Sequence, residues 1–588
     1  MDPRDEDDIL CRRSILGTTT QFKYERLPRV KLSALNETGR AESTIPVLKQ
    51  RSYTGRKPVI TSALADTRCI DLGMDRILEI LNTKLGTSYT LNDSILQSVF
   101  QSFIAQNHDF GILYANVRPY WYDLTLIERI GELWMNDQER RQDCLTNNGI
   151  SLGFPCRRVW DLCANRVVPC WVTHCGSPDP ISHSWVAKED RFDLWTPINC
   201  YEWPVPIPKD ANLNLIRIEM LNQQELVPGH SEEYVWLDVL CLRQEGGERE
   251  DLRTEEWKVD VPTIGSLYCN IWVPHVVYYL TGLGRPLSLK PGDLDNERNW
   301  FNRAWTLQET AKHPVIGGST DVGLITDNDV KAKLKEKLQS VKGIREADVF
   351  YFLWQMQIRK STKPLDKVAG LAYLLCGDRL RFGYIPVYDE TQSQEDAWDV
   401  LVDAMESSHK LELLFIYPEP GNGPQRWRPS WKQVMERRIL CPDGSHPFPT
   451  RNRIRKLETG DFLYEGPCIE SGFISGLAHG SYEEGKPRQG ELVTQDGTGA
   501  PHLFNVFAYH AFPIPDGWYT LIGKGIFLVR QESPAYIDCW ECWVVGWRRW
   551  DQRFEKLSVI NTVDSHEKLW PDYTKIGDIE HFAHVLLC

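Results

Sequence analysis

The chain has no apolar run approaching the ~18 residues that a membrane helix needs. Its opening stretch, MDPRDEDDIL, is acidic and has no signal-peptide core. Together these absences predict a cytoplasmic protein with no membrane span. A basic surplus is missing as well. The net charge is −14 over 588 residues, so no domain-wide cationic surface exists to displace counterions, and nucleic acid is excluded as a partner. No G-x-S-x-G elbow occurs, which argues against an α/β-hydrolase nucleophile. Gly282-Leu283-Gly284 has no third glycine in register and precedes Pro286, so it reads as a turn and not a dinucleotide fingerprint. The 16 cysteines are scattered through long, ordinary sequence and read as reduced thiols. Cys539-Trp540-Glu541-Cys542 has knuckle spacing but no second Cys/His pair nearby, so no metal site is expected.

What is present is ordinary globular material, 42% hydrophobic and 25% charged, with 22 tryptophans. Two stretches organise it. Tyr234–Gln244 (YVWLDVLCLRQ) is an almost unbroken apolar run with one carboxylate, Asp238, in its middle. Such a run reads as a strand buried on both faces, hence a parallel sheet. Asp238 would then lie near the strand's carboxyl end, where open α/β sheets place their ligand crevices. Trp300–Glu309 (WFNRAWTLQE) places Trp300, Phe301, Ala304, Trp305 and Gln308 on one helical face. Arg303 in that helix is a candidate counter-ion for Asp238.

Around these stretches the pattern divides the chain into five. Residues 1–60 are polar and without period, and read as a disordered tail. Residues 61–150 form a helical domain, with Asn92 a candidate cap for an apolar face through Leu96 and Phe100. Residues 151–318 alternate strand and helix. A helix capped by Asp210 precedes the Asp238 strand, and a helix over Glu255–Asn270 is kinked or split at Pro262. This alternation predicts an α/β core around a parallel sheet. Residues 319–436 are helical again. Residues 437–588 break into short β-like runs punctuated by Gly and Pro, predicting a β-rich C-terminal domain of sandwich or barrel type.

The strand Y-V-W-L-D-x-L-C-L-x-Q, followed some 60 residues on by W-x-x-R-A-W-T-L-Q-E, resembles the heterokaryon-incompatibility (HET) domain of filamentous fungi. Arg158–Leu162 and Ile181–Trp185 before the strand, and Leu365–Leu371 after it, are similar to the flanks of the larger mushroom-type members. The resemblance implies a flavodoxin-like core related to Toll/interleukin-receptor (TIR) domains, and a role in non-self recognition and programmed cell death. Its departures are Ser182-His183-Ser184-Trp185, without the glycine usual there, and Arg243 where an acid is common.

Asp238 leans towards a functional carboxylate because site residues gather at that sheet edge. Ser182, His183 and Ser184 end the first core strand on the same edge. Cys241 reads as core and not as a thiol nucleophile. By the TIR resemblance, Glu309 is the counterpart of the glutamate of NAD cleavage, one turn after Trp305. The candidate site therefore comprises Glu309 and Asp238 as catalytic carboxylates, with His183, Trp185, Arg303, Trp305 and Gln308 around the substrate. Two readings stay open. In one the core is an NAD glycohydrolase, with NAD a substrate and no resident cofactor. In the other it is a non-enzymatic signalling module that self-associates, leaving a homo-oligomer and an unidentified protein partner open.

Overall fold

The computed structural model describes residue 24 and residues 26–147, 149–173, 178–224, 233–269, 276–311, 314–321, 325–342, 344, 347–376, 384–437, 453–479, 486–495, 499–523, 542–562 and 579–588. The chain forms two compact units. The first comprises residues 1–344, 359–374 and 384–390, and the second comprises residues 345–358, 375–383 and 391–588.

The first unit is α/β, built on a six-stranded sheet. Its strands are β1 (Arg158–Asp161), β2 (Arg166–Pro169), β3 (Asp179–His183), β4 (Tyr234–Leu237), β5 (Val276–Tyr279) and β6 (Pro314–Ile316). They lie in the order β6-β5-β3-β4-β1-β2. The first four in that order run parallel, while β1 joins β4 and β2 joins β1 antiparallel. Helix α1 (Leu213–Gln224) lies between β3 and β4 in the chain. Helices α3 (Glu250–Asp260) and α4 (Ile264–Cys269) lie between β4 and β5. The chain thus leaves β3 towards one side of the sheet, then crosses back to β5 on the other. The strand order reverses at β3, which opens a crevice beyond the carboxyl ends there.

All four residues of β4 are buried, each contributing roughly 1.5–3 kcal/mol by leaving water. The expected strand stops at Leu237, because Asp238–Cys241 forms one helical turn, α2. The Asp238 carboxylate accepts the Val239 N–H at 2.7 Å, a local bond that turns the backbone out of the sheet. Val239, Leu240 and Cys241 remain buried in this turn, so an unbroken apolar run does not distinguish strand from helix.

The Trp300 segment also differs from expectation. It consists of two 3₁₀ turns, Trp300–Asn302 and Trp305–Leu307, and not one α-helix. Arg303 between them is extended and bridges Lys360. Lys360 donates to Asn302 O at 2.7 Å and accepts from Ala304 N at 2.8 Å. The Thr306 hydroxyl takes Trp300 O and Arg303 O at 2.5 and 2.8 Å, occupying carbonyls that a helix would have used.

Other expectations shift by less. The helix over Ser94–Ala105 is capped by Asp93 and not Asn92. Asn212, not Asp210, caps α1 by accepting from Asn214 N and Leu215 N. At Pro262 the expected long helix is split into α3 and α4. The tail expected to be disordered is ordered from residue 26: Val30–Ser33 pairs antiparallel with Ser52–Gly55. Residues 1–23 and 25 lie outside the described residues. Gly318, just past β6, has φ +79, and a Cβ there would meet Arg285 O at 2.2 Å. Only glycine fits that approach.

The second unit contains a β-barrel of eight strands: β7 (Arg453–Lys456), β8 (Phe462–Ser475), β9 (Arg488–Gln495), β10 (Pro501–Ala508), β11 (Gly517–Gly523), β12 (Cys542–Arg548), β13 (Phe554–Asn561) and β14 (Ile579–Leu587). The order β7-β8-β9-β10-β13-β12-β11 closes because β8 also pairs β11, and β14 pairs β8 and β13. Ile474, Leu492, Val506, Leu521 and Val545 fill its core. The Cys539–Glu541 part of the knuckle spacing lies outside the described residues, and Cys542 is a free thiol. No described helix is long and apolar enough to cross a membrane.

Candidate functional site

Parallel pairing brings Ser182 opposite Tyr278 and His183 opposite Tyr279 at the carboxyl ends of β3 and β5. Strand β4, paired in register to Ile181 through Leu237, delivers Asp238 to the same edge. His183 Nε2 lies 2.8 Å from Asp238 Oδ1, and Trp185 Nε1 donates to Asp238 Oδ2 at 3.3 Å. The indole of Trp185 stacks on the His183 ring at 5.7 Å. About a quarter of the Asp238 side chain (25%) still reaches solvent. Burial alone would raise this carboxyl. The charge and hydrogen bond of His183 outweigh it and hold Asp238 below the ordinary range. Burial also works against a charged His183, yet Asp238 leaves its imidazole raised. Each shift favours the charged form of its group, so the two stabilise one another as an ion pair when His183 is protonated.

Glu309 arrives from the turn after Trp305–Leu307. Its carboxylate accepts the Ser182 hydroxyl, and Ser182 Oγ in turn accepts from Trp300 Nε1 at 2.6 Å. Tyr278, stacked on Trp300 at 4.4 Å, donates its hydroxyl to Glu309 O at 3.0 Å. Glu309 makes no ion pair among the described residues. Burial, with the Asp238 charge nearby, pushes its carboxyl up to about 7, although Ser182, His183 and Arg303 all pull it down. The edge therefore holds two unlike carboxyls, one kept ionised and one carrying its proton until neutrality.

No family model, curated protein or solved structure matches the chain.

The expected site residues separate into two groups. His183, Trp185, Asp238 and Glu309 gather at the edge. Arg303 lies within electrostatic reach of Glu309 but does not pair with Asp238, whose partner is His183. Trp305 turns elsewhere: it meets Tyr388 edge-on at 6.3 Å and bonds Asp366. The aromatic beside Glu309 is Trp300, through Ser182. Gln308 is fully buried, with its Nε2 lacking an acceptor among the described residues.

Sequence reasoning passed over Tyr268 and Tyr278. Burial raises Tyr268, and Glu309 and Asp238 raise it further, so it belongs to the same neighbourhood. Its hydroxyl donates to Ile181 O at 2.9 Å. Nothing in the local sequence marks either tyrosine, because register across the sheet brings them there. Arg243, which ends the Asp238 stretch before Gln244, pairs with Glu202 at 2.7 Å and lies over Trp203 at 4.9 Å.

Proposed function

We propose that this chain is a HET-type effector whose sheet edge hydrolyses the nicotinamide–ribose bond of NAD, and that it acts in the cytoplasm in non-self recognition and regulated cell death. The observation that carries the hydrolytic reading is the split pair of carboxyls, since environments that drive two acids apart assign them different tasks. The strand order β4-β3-β5-β6, numbered from β3 as 2-1-3-4, supports a flavodoxin- or TIR-like core. In the proposed reaction the C1′–N bond breaks and its electron pair stays on nicotinamide. Water adds to C1′, and its proton passes to ionised Glu309. Asp238, paired with His183 at 2.8 Å, fixes that imidazole at the same edge, so the negative charge against the oxocarbenium-like transition state is that of Glu309.

The measurement is NAD loss and nicotinamide release by purified protein at high concentration, beside Glu309→Gln. Release should rise with pH through about 7, where Glu309 ionises, and should be lost in the variant. If folded wild type releases no nicotinamide, or Glu309→Gln matches it, the self-associating module replaces the enzyme.

A further inference from the structure

The turn that carries Glu309 is short and irregular, so its position comes from strand β5. The Tyr278 hydroxyl donates to Glu309 O at 3.0 Å and accepts the Ala311 N–H at 2.7 Å, spanning the chain on both sides of Thr310. The same side chain reaches the carboxylate by another route. Its ring stacks on Trp300 with centroids 4.4 Å apart and planes 29° from parallel. Trp300 Nε1 donates to Ser182 Oγ at 2.6 Å, and Ser182 donates to the Glu309 carboxylate. These contacts run from Tyr278 through Trp300 and Ser182 to Glu309 and close again on Tyr278.

The closed circuit stands on the sheet. Tyr278 pairs in register with Ser182 on β3 and with Ile316 on β6, and Tyr278 and Trp300 are both fully buried. A side chain rooted between two neighbouring strands has little freedom, whereas a glutamate in a turn must have its torsions fixed from outside. Misplacing a reacting group by about 1 Å costs about a hundredfold in rate. A hydroxyl that receives one hydrogen bond while giving another is also polarised into a stronger donor.

We propose that Tyr278 is a positioning residue for Glu309, holding its main chain directly and aiming its carboxylate through Trp300 and Ser182. The effect on the reaction rests on the hydrolytic reading, whereas the holding of Glu309 rests on the contacts alone.

The test uses the full chain and two variants. Tyr278→Phe keeps a ring on Trp300 and removes the hydroxyl. Trp300→Phe keeps a ring on Tyr278 and removes the N–H that Ser182 accepts. Carbon-13 NMR of protein labelled at glutamate Cδ follows the carboxyl, and the Glu309 resonance is the one missing from Glu309→Gln. In wild type it should titrate near 7. Tyr278→Phe should lower that midpoint by at least one pH unit, because the freed turn lets the carboxylate reach water. Trp300→Phe should raise it, because Ser182 becomes a weaker donor. Tyr114→Phe, which removes a buried hydroxyl bonded to Pro58 O at 2.6 Å, should leave it in place. In nicotinamide release, Tyr278→Phe should lower kcat at least tenfold and keep KM within twofold. A Glu309 titration unmoved by both variants, or moved as far by Tyr114→Phe, overturns the proposal. Shifted titrations without nicotinamide release by wild type keep the holding of Glu309 and remove the hydrolytic reading. Release with an unchanged kcat in Tyr278→Phe removes the positioning role and leaves the hydrolytic reading standing.

Discussion

At the scale of single residues, the chemistry turns on one carboxyl whose proton is displaced from its usual range. Glu309 moves from 4.5 to about 7 on folding. A folded-state value above the unfolded one means that the native protein binds the extra proton between those pH values. Its stability therefore falls as pH rises through that window, and the loss is complete above about 7. Each unit is worth about 1.4 kcal/mol. Glu309→Gln, which keeps the acceptor for Ser182 and removes the charge, should be more stable than wild type at pH 8 by about 3–4 kcal/mol. At pH 4 the two should be equal. Urea denaturation at both values checks this, and a pH-independent difference would count against the buried, charge-free setting. Ser182→Ala gives a second readout. The Ser182 hydroxyl favours ionised Glu309, so its loss should move the midpoint of nicotinamide release about one pH unit higher. A profile that stays in place would mean the hydroxyl does not tune this carboxyl.

Among the elements, a buried arginine ties the helical segment to the sheet. Arg118 follows the helix Phe110–Val117. It donates to Asp161 Oδ2 at the end of β1 at 2.9 Å, to Glu233 just before β4, and to the Tyr24 and Tyr234 hydroxyls at 3.1 Å each. Arg118, Asp161 and Glu233 are all buried. Removing the cation leaves two carboxylates without their counter-charge, and breaking such pairs costs about 3–5 kcal/mol. Arg118→Met should lower the unfolding free energy by that order, measured from the denaturant midpoint. A change below about 1 kcal/mol would show that water or relaxation replaces the arginine.

For the whole molecule, the α/β segment is not self-sufficient. Residues 61–150 and 151–318 share one compact unit, joined there by 359–374 and 384–390. Glu219 on α1, fully buried, accepts from Gln50 at 2.8 Å and from the Tyr279 hydroxyl at 2.8 Å. Arg359 donates to Arg303 O and Thr306 Oγ1 at 2.8 and 2.9 Å, holding the Glu309 segment from outside the span 151–318. A fragment of residues 157–318 lacks Gln50, Arg118 and Arg359. It leaves Asp161, Glu219 and Glu233 under-satisfied in the core, at a cost comparable to the stability of a whole domain. That fragment should show no cooperative melting transition in calorimetry, whereas the full chain should show one. A sharp transition in the fragment would restore residues 151–318 as an independent domain.

Sequence alone determined what depends on composition and local pattern. The apolar run at Tyr234 marked a buried segment rich in aromatic and β-branched side chains, and its first four residues are the buried parallel strand. The strand's carboxyl end marked Asp238, and the break at Pro262 and the glycine-punctuated β region after Arg437 were legible in the same way. The tertiary structure decided what depends on partners distant in the chain. Asp238 chose His183, 55 residues away, over Arg303, because pairing in the sheet sets their distance and no spacing rule does. The helical face read at Trp300 gave way to 3₁₀ turns because Lys360 offered the backbone a competing bridge. Trp305 faces Asp366, and Trp300 takes its place near Glu309. The displacement of Glu309 to about 7 is the clearest case. A glutamate's charge state is set by the surroundings that folding assembles, and those surroundings come from Tyr278 on β5, 31 residues from Glu309, and Ser182 on β3, 127 residues from it.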